Sequence, residues 1–163
     1  MRKPLPTTLW LLLGMFLLGA GGTAAAAGLR DFDGNPARIG DFTGQERWLV
    51  VMLWASDCPV CNAEVHQYND FHTFHSDSDA RVLGISLDGA ARQDAARDFI
   101  RRHEVIFPNL IGEPADVAGL YRQLAGRPFA GTPTFLIYNP AGELVAQQVG
   151  AVPVNLIEEF IGR

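Results

Sequence analysis

The chain carries two cysteines, Cys58 and Cys61, separated by Pro59 and Val60 in the stretch WASDCPVC. Two thiols at that spacing suit half of a metal site, a structural disulfide, or a pair that cycles between dithiol and disulfide. A structural bridge is a weak reading, because closing so small a loop removes little chain entropy. A zinc site needs two more ligands, and His72 and His75 supply a C-x2-C-x10-H-x2-H pattern. If residues 59–74 are one helix, His72 lies about 16 Å from Cys61 along its axis, too far for one tetrahedral site. His66, His72, His75 and His103 then read as ordinary helix or surface residues. Copper(I) stays open: soft thiolates suit it, and CPVC would serve a redox-inert metallochaperone module.

The elements around the pair favour redox chemistry. Trp48–Trp54 is a continuous apolar run of strand length, as expected of a central strand covered on both faces of a parallel α/β sheet. From Pro59 to about Phe74, the residues Ala63, Val65, Tyr68, Phe71 and Phe74 recur at helical spacing, and Pro59 suits the first turn. CPVC therefore sits where a buried strand ends and a helix begins. The free N–H groups and dipole of a helix N-terminus favour a thiolate at Cys58. Cys61, one turn on, faces inward. Cys58 is thus expected to attack and Cys61 to resolve the mixed disulfide.

Further along, Leu29–Thr43 contains Asp33-Gly34-Asn35-Pro36 and reads as a short hairpin. Strands are expected at 81–87, 134–138 and 144–149, the last two flanking the turn Asn139-Pro140-Ala141-Gly142, with a short extended piece at 107–110. Helices are expected at 90–103, with Asp88 as its cap, at 115–124 and at 153–161. Helices between the early strands imply parallel pairing, and the late hairpin adds an antiparallel edge. The fold class is α/β: one domain over residues 28–163 with a mixed central sheet flanked by helices and an N-terminal β-hairpin.

Residues 1–27 are set apart. Arg2 and Lys3 precede an uncharged stretch with a Leu-rich core at Leu9–Leu18 and a small-residue run at Ala24–Ala27. That is the layout of a secretory signal peptide, with cleavage expected after Ala26 or Ala27. The rival is an uncleaved membrane anchor, since the stretch exceeds the roughly 18–20 residues needed to span. Either way the domain is expected outside the cytoplasm, where a disulfide persists. The net charge of −5 becomes more negative without Arg2 and Lys3, which argues against nucleic acid as a partner.

Beyond CPVC, the chain resembles the thioredoxin superfamily, and within it the exported TlpA/ResA-like thiol-disulfide oxidoreductases. The matching stretches are LVVMLWAS before the pair, Glu64 in CPVCNAE, the strand VLGISLD, GTPTFLIYNPAGELV near the end, and the lead-in DFDGNP. The resemblance runs from about Leu29 to the C-terminus. It implies a thioredoxin-like fold, no cofactor, and protein disulfide substrates, including apocytochrome c during haem attachment. A membrane-bound electron donor would recharge the pair. It also implies a cis Thr132-Pro133 bond against the active-site disulfide. That leaves the Thr132 backbone free to pair with an extended substrate, with Trp54 and Pro59 also on the substrate side. Met52 stands where thioredoxin keeps a buried Asp, and the proton-handling task would pass to Glu64. A carboxylate there raises the thiol pKa and its own. Asp57 and Val65 depart from the family pattern, which more often has an uncharged residue and a Pro. An acid beside Cys58 makes its thiolate costlier and weighs against a strongly oxidising role. A peroxiredoxin-like peroxidase, the other enzyme class on this fold, would need a Pro/Thr-rich loop before Cys58, and VMLWASD offers none.

Overall fold

The computed structural model describes residues 28–162, and the leader read at 1–27 lies outside them. Among these residues the chain runs through β1 (Arg30–Asp31), β2 (Trp48–Trp54), α1 (Pro59–His75), β3 (Ala80–Ser86), α2 (Gln93–Arg102) and β4 (Asn109–Ile111). It continues through α3 (Pro114–Ala125), β5 (Thr134–Tyr138), β6 (Leu144–Val149) and α4 (Val154–Ile161). Single 3-10 turns at Ile39–Asp41 and Ala90–Arg92 precede β2 and α2. The strands form one sheet in the order β1-β4-β3-β2-β5-β6. β2–β3 and β3–β4 are parallel, whereas β2–β5, β5–β6 and β1–β4 are antiparallel.

β2 is apolar throughout because both of its faces are covered. Val50, Met52 and Trp54 enter one core with Cys61, Val65, Tyr68 and Phe71 of α1, Phe99 of α2, and Ile157 and Ile161 of α4. Leu49, Val51 and Leu53, on the opposite face, pack with Val117 and Tyr121 of α3. The two-residue period of a strand thus splits one hydrophobic run between two cores. The strand is fixed from both sides, and the loop after it starts from a rigid point.

The end of β2 depends on a glycine. The Trp54 indole N–H donates to Asn109 Oδ1 at 3.0 Å, and the indole stacks on Phe99 with ring centroids 4.3 Å apart. A Cβ on Gly84 would run into both Asn109 and the Trp54 indole nitrogen. A residue without a side chain on β3 therefore makes room for the largest one on β2.

Three sequence expectations change. The N-terminal hairpin is a single bridge between Arg30 and Pro36, and β1 pairs with β4 instead. Asp31 accounts for this: its carboxylate accepts from the backbone N–H groups of Asp33 and Asn35, so a side-chain turn takes the place of a second strand. Asp88 does not cap α2; its carboxylate turns toward β2, as described below. In α1, Ala63 and Phe74 are exposed, and the buried stripe is Cys61, Val65, Tyr68 and Phe71. His75 takes the next inward position by stacking on Phe71 at 4.4 Å. No helix among the described residues is long and apolar enough to cross a membrane.

Candidate active site

Cys58 is the N-cap of α1 and Pro59 its first residue. The Cys58 sulfur accepts the backbone N–H of Cys61 at 3.0 Å, so it occupies the place where a helix N-terminus offers unpaired donors. Cys58 and Cys61 are joined as a disulfide, with Cα atoms 5.2 Å apart. Their environments differ. Cys61 is fully enclosed, whereas 7% of Cys58 reaches solvent and its neighbours Pro59 and Val60 are exposed. Attack from outside can reach Cys58 first.

The segment Ser56–Asp57–Cys58 is clamped by Asp88, expected as a helix cap, and by Arg92 and Asn62, to which the sequence assigned no role. From below, the Asp88 carboxylate, its side chain only 1% exposed, accepts from the Ser56 N–H at 2.9 Å. It also accepts from the hydroxyls of Ser56 and Ser86, each at 2.8 Å. From one side, Arg92 donates to Asp57 Oδ2 at 2.6 Å and to Ser56 Oγ at 3.1 Å. The Arg92 hydrogen bond holds the Asp57 carboxyl below the usual carboxylate range, and the same contact raises the guanidinium. From the helix, Asn62 Nδ2 donates to the carbonyls of Cys58 at 2.8 Å and Ser56 at 3.2 Å. Asn62 Oδ1 in turn accepts from Arg102 at 3.1 Å and meets His103 Nε2 at 2.8 Å. A faint signal was legible: SLD ends a strand, and Arg92 lies four residues after Asp88 while Asp57 stands unpaired in CPVC's lead-in.

The remaining candidates fall in different places. The Thr132-Pro133 bond is cis. Pro133 is buried and its carbonyl accepts from Gly150 N–H at 2.9 Å, while Thr132 is half-buried. Because Leu53 pairs with Thr134, Pro133 stands beside the β2 end that leads into CPVC. Trp54 is corrected: at 1% exposure it lies in the core and offers no surface to a substrate. It holds the strand end instead. Glu64 is half-buried and accepts from the Gln67 side-chain amide, whose oxygen receives Val154 N–H at 2.9 Å. This carboxylate thus belongs to a bridge between α1 and the start of α4. Burial, and secondarily the Glu64 charge, push the neighbouring Tyr68 phenol upward. The Tyr68 hydroxyl donates to Val152 carbonyl at 2.7 Å in the same bridge.

The histidines are spoken for by other partners. His72 Nδ1 accepts the Val82 N–H at 3.1 Å, and β4, which pairs from Gly84 onward, is too short to serve that β3 donor. His75 pairs with Asp79 at 2.8 Å. His103 meets His66 at 3.2 Å. Among the described residues, no three of His, Cys, Asp and Glu gather in a way that could hold a metal ion.

With this geometry in view, similarities to known proteins fall into place. A model of the AhpC/TSA family matches residues 20–147. The sporulation thiol-disulfide oxidoreductase A of Bacillus subtilis is 21% identical over 112 residues, which are 68% of this chain and 64% of that protein. This chain therefore spans just under two thirds of that relative's length. The thiol-disulfide oxidoreductase ResA of Halalkalibacterium halodurans is 23% identical over 145 residues, 89% of this chain and 77% of that one. Among solved structures, a DsbF homologue from Corynebacterium diphtheriae superposes with a TM-score of 0.68 at 20% identity, covering 81% of this chain and 80% of its own. The fold is thioredoxin-like, as the strand order and the CxxC position require.

Proposed function

We propose that this chain, which belongs to the AhpC/TSA family and has the thioredoxin-like fold and CxxC pair of a thiol-disulfide oxidoreductase, works outside the cytoplasm and reduces disulfides in protein substrates. The observation that carries the proposal is the asymmetry of the pair: a cap cysteine that keeps 7% of its surface in solvent, bonded to a fully enclosed partner. In the reduced protein, the Cys58 thiolate attacks a substrate disulfide, forming a mixed disulfide and releasing one substrate thiolate. Cys61, as thiolate, then attacks Cys58 Sγ, restoring the Cys58–Cys61 disulfide and releasing the second substrate thiolate. Two electrons pass to the substrate. A membrane-bound dithiol donor of two electrons must return the pair to the reduced state. Apocytochrome c is the substrate class we favour.

Exposed Pro59 and Val60, with half-buried Thr132 across the end of the sheet, form the surface on which an extended segment would lie. Glu64, three residues after Cys61, sets the direction: its negative charge opposes a second one on the sulfurs and keeps the pair reducing. Copper(I) transport is the less favoured reading, because an ion held by both sulfurs would have to reach Cys61 in the core.

The test is trapping. Cys61→Ser should accumulate mixed disulfides through Cys58, and the reduced wild type should be alkylated first at Cys58. Faster labelling of Cys61 overturns the division of roles. Equilibration with redox buffers should put the potential nearer about −270 mV than about −120 mV, the ends of the known range. A potential at the oxidising end reverses the direction. Copper(I) captured by the reduced protein in competition with a chelator would favour the metallochaperone.

A further inference from the structure

Arg92 ends the 3-10 turn that follows β3, and it reaches three acceptors with one guanidinium. These are Asp57 Oδ2 at 2.6 Å, Ser56 Oγ at 3.1 Å and Asp88 Oδ1 at 3.3 Å. Exposed ion pairs are commonly worth little, because solvent screens them and two long side chains must be ordered. This contact is different in kind. The planar fork of an arginine binds several acceptors at once, and one of these acceptors is a buried carboxylate that already holds Ser56. Asp57 is the residue directly before Cys58, so its Cα lies about 3.8 Å from that of the attacking cysteine. An acid so placed should raise the thiol pKa.

We propose that Arg92 is a positioning residue for thiol exchange: it fixes the Ser56–Asp57 backbone ahead of Cys58 and offsets the Asp57 charge, so that a cysteine next to an acid still ionises. The proposal rests on Cys58 being the attacking thiol. In the exchange step, the Cys58 sulfur must carry the electron pair that forms the bond to a substrate sulfur while the other substrate sulfur leaves as thiolate. Arg92 bears on how much of that thiolate exists before attack. Other charged groups surround the same segment. Asp88 lies beneath Ser56, Glu64 stands on α1, and Arg102 and His103 at the end of α2 meet Asn62, with His66 behind His103. Of these, only Asp88 also meets Arg92, at 3.3 Å, so Asp57→Asn, which leaves that contact in place, isolates the Asp57 charge, and the double variant reads what Arg92 does beyond it.

The experiment uses the reduced protein and four variants: Arg92→Gln, Asp57→Asn, the double variant and Arg92→Lys. Thiolate absorbance is followed against pH, and mass spectrometry identifies the cysteine that alkylates. Arg92→Gln should raise the Cys58 pKa by about half a unit to one unit, leaving roughly three- to tenfold less thiolate at neutral pH. Asp57→Asn should lower it by a similar amount, the double variant should return close to wild type, and Arg92→Lys should keep most of the wild-type value. Opposite signs and their cancellation are what a merely structural loosening would not produce. If Arg92→Gln fails to fold, Asp57→Asn and Arg92→Lys still decide. An unchanged or raised pKa in Asp57→Asn, or a fully raised one in Arg92→Lys, overturns the proposal. If alkylation maps to Cys61 in the wild type, the assignment of the attacking thiol fails first and this proposal falls with it.

Discussion

Asn62 Nδ2 donates to the backbone carbonyl of Cys58 at 2.8 Å, so the first turn of α1 reaches back and holds its own cap residue. The same amide takes Ser56 carbonyl, and its oxygen is turned toward Arg102 and His103 at the end of α2. Asn62→Ala removes all four contacts. The Ser56 carbonyl loses its side-chain donor and that of Cys58 keeps only the backbone N–H of residue 62, at a cost of about 1–2 kcal/mol, which corresponds to a fall in melting temperature of roughly 3–6 °C. Asn62→Asp should separate the two halves. It keeps the acceptor for Arg102 and His103 but loses both donations, and the rate of reaction with a small disulfide should drop with it. Thermal unfolding and stopped-flow kinetics on the two variants read these outcomes.

Asp88 should be the costliest surface-proximal acid to remove. Its carboxylate satisfies Ser56 N–H and two hydroxyls, one of them on the fully buried Ser86. Asp88→Ala strands those donors and should cost about 2–3 kcal/mol in urea unfolding. Asp88→Asn keeps one acceptor oxygen and should recover part of the loss. A loss in Asp88→Ala no larger than that of an exposed acid would mean that the carboxylate is not what holds the segment.

Much of this arrangement was legible in the sequence, and the illegible part has a common cause. The run Trp48–Trp54 and the alternation of strand and helix identified the sheet, because burial on two faces leaves a local pattern. The cysteines announced themselves by spacing and by the turn of structure they interrupt. Ser56, Asp88 and Arg92 left no more than the faint four-residue spacing of Asp88 and Arg92. Their partners are set by the parallel pairing of β2 with β3, which brings residues more than 30 positions apart to the same sheet end. Trp54 misled for the opposite reason: an aromatic residue near a reactive pair suggests a surface, but here Gly84 opens a slot that swallows it.

Glu64 should act on the sulfurs through its charge. Glu64→Gln keeps size and hydrogen-bonding capacity while removing the negative charge three residues from Cys61. The Cys58 pKa should fall, and the reduction potential should rise because the reduced form, as thiolate, is the one stabilised. A shift of about 30 mV corresponds to about 1.4 kcal/mol between the two states. The potential measured against glutathione checks the sign, and a shift toward more reducing values would refute the assignment.

Acid should weaken the fold through His72. Burial lowers its pKa, with Arg81 adding to the effect and Asp77 opposing it, and its Nδ1 must stay unprotonated to accept the Val82 N–H. The folded-state value lies below the unfolded value near 6.5. The contribution is therefore complete above pH 6.5 and is lost as pH falls through the lower folded value. His72→Gln retains an acceptor that cannot ionise, so its stability should vary less with pH across that window. A residual slope should remain from His103, which burial, His66 and Arg102 also depress. Urea midpoints collected between pH 5 and 8 give the comparison.

The clamp on Ser56–Asp57–Cys58 carries one more consequence. Its holding contacts run from Asp88, Arg92 and Asn62 to backbone and side-chain oxygen and nitrogen, and none of them passes through a sulfur–sulfur bond. Opening the disulfide should leave every one of them in place. Oxidised and reduced forms should therefore share one backbone frame, with the reorganisation that accompanies electron transfer confined to a change of sulfur–sulfur separation. A partner docking on this surface would meet the same outline in both states, and which way the reaction runs would be decided by the potentials of the two dithiols rather than by a change of shape.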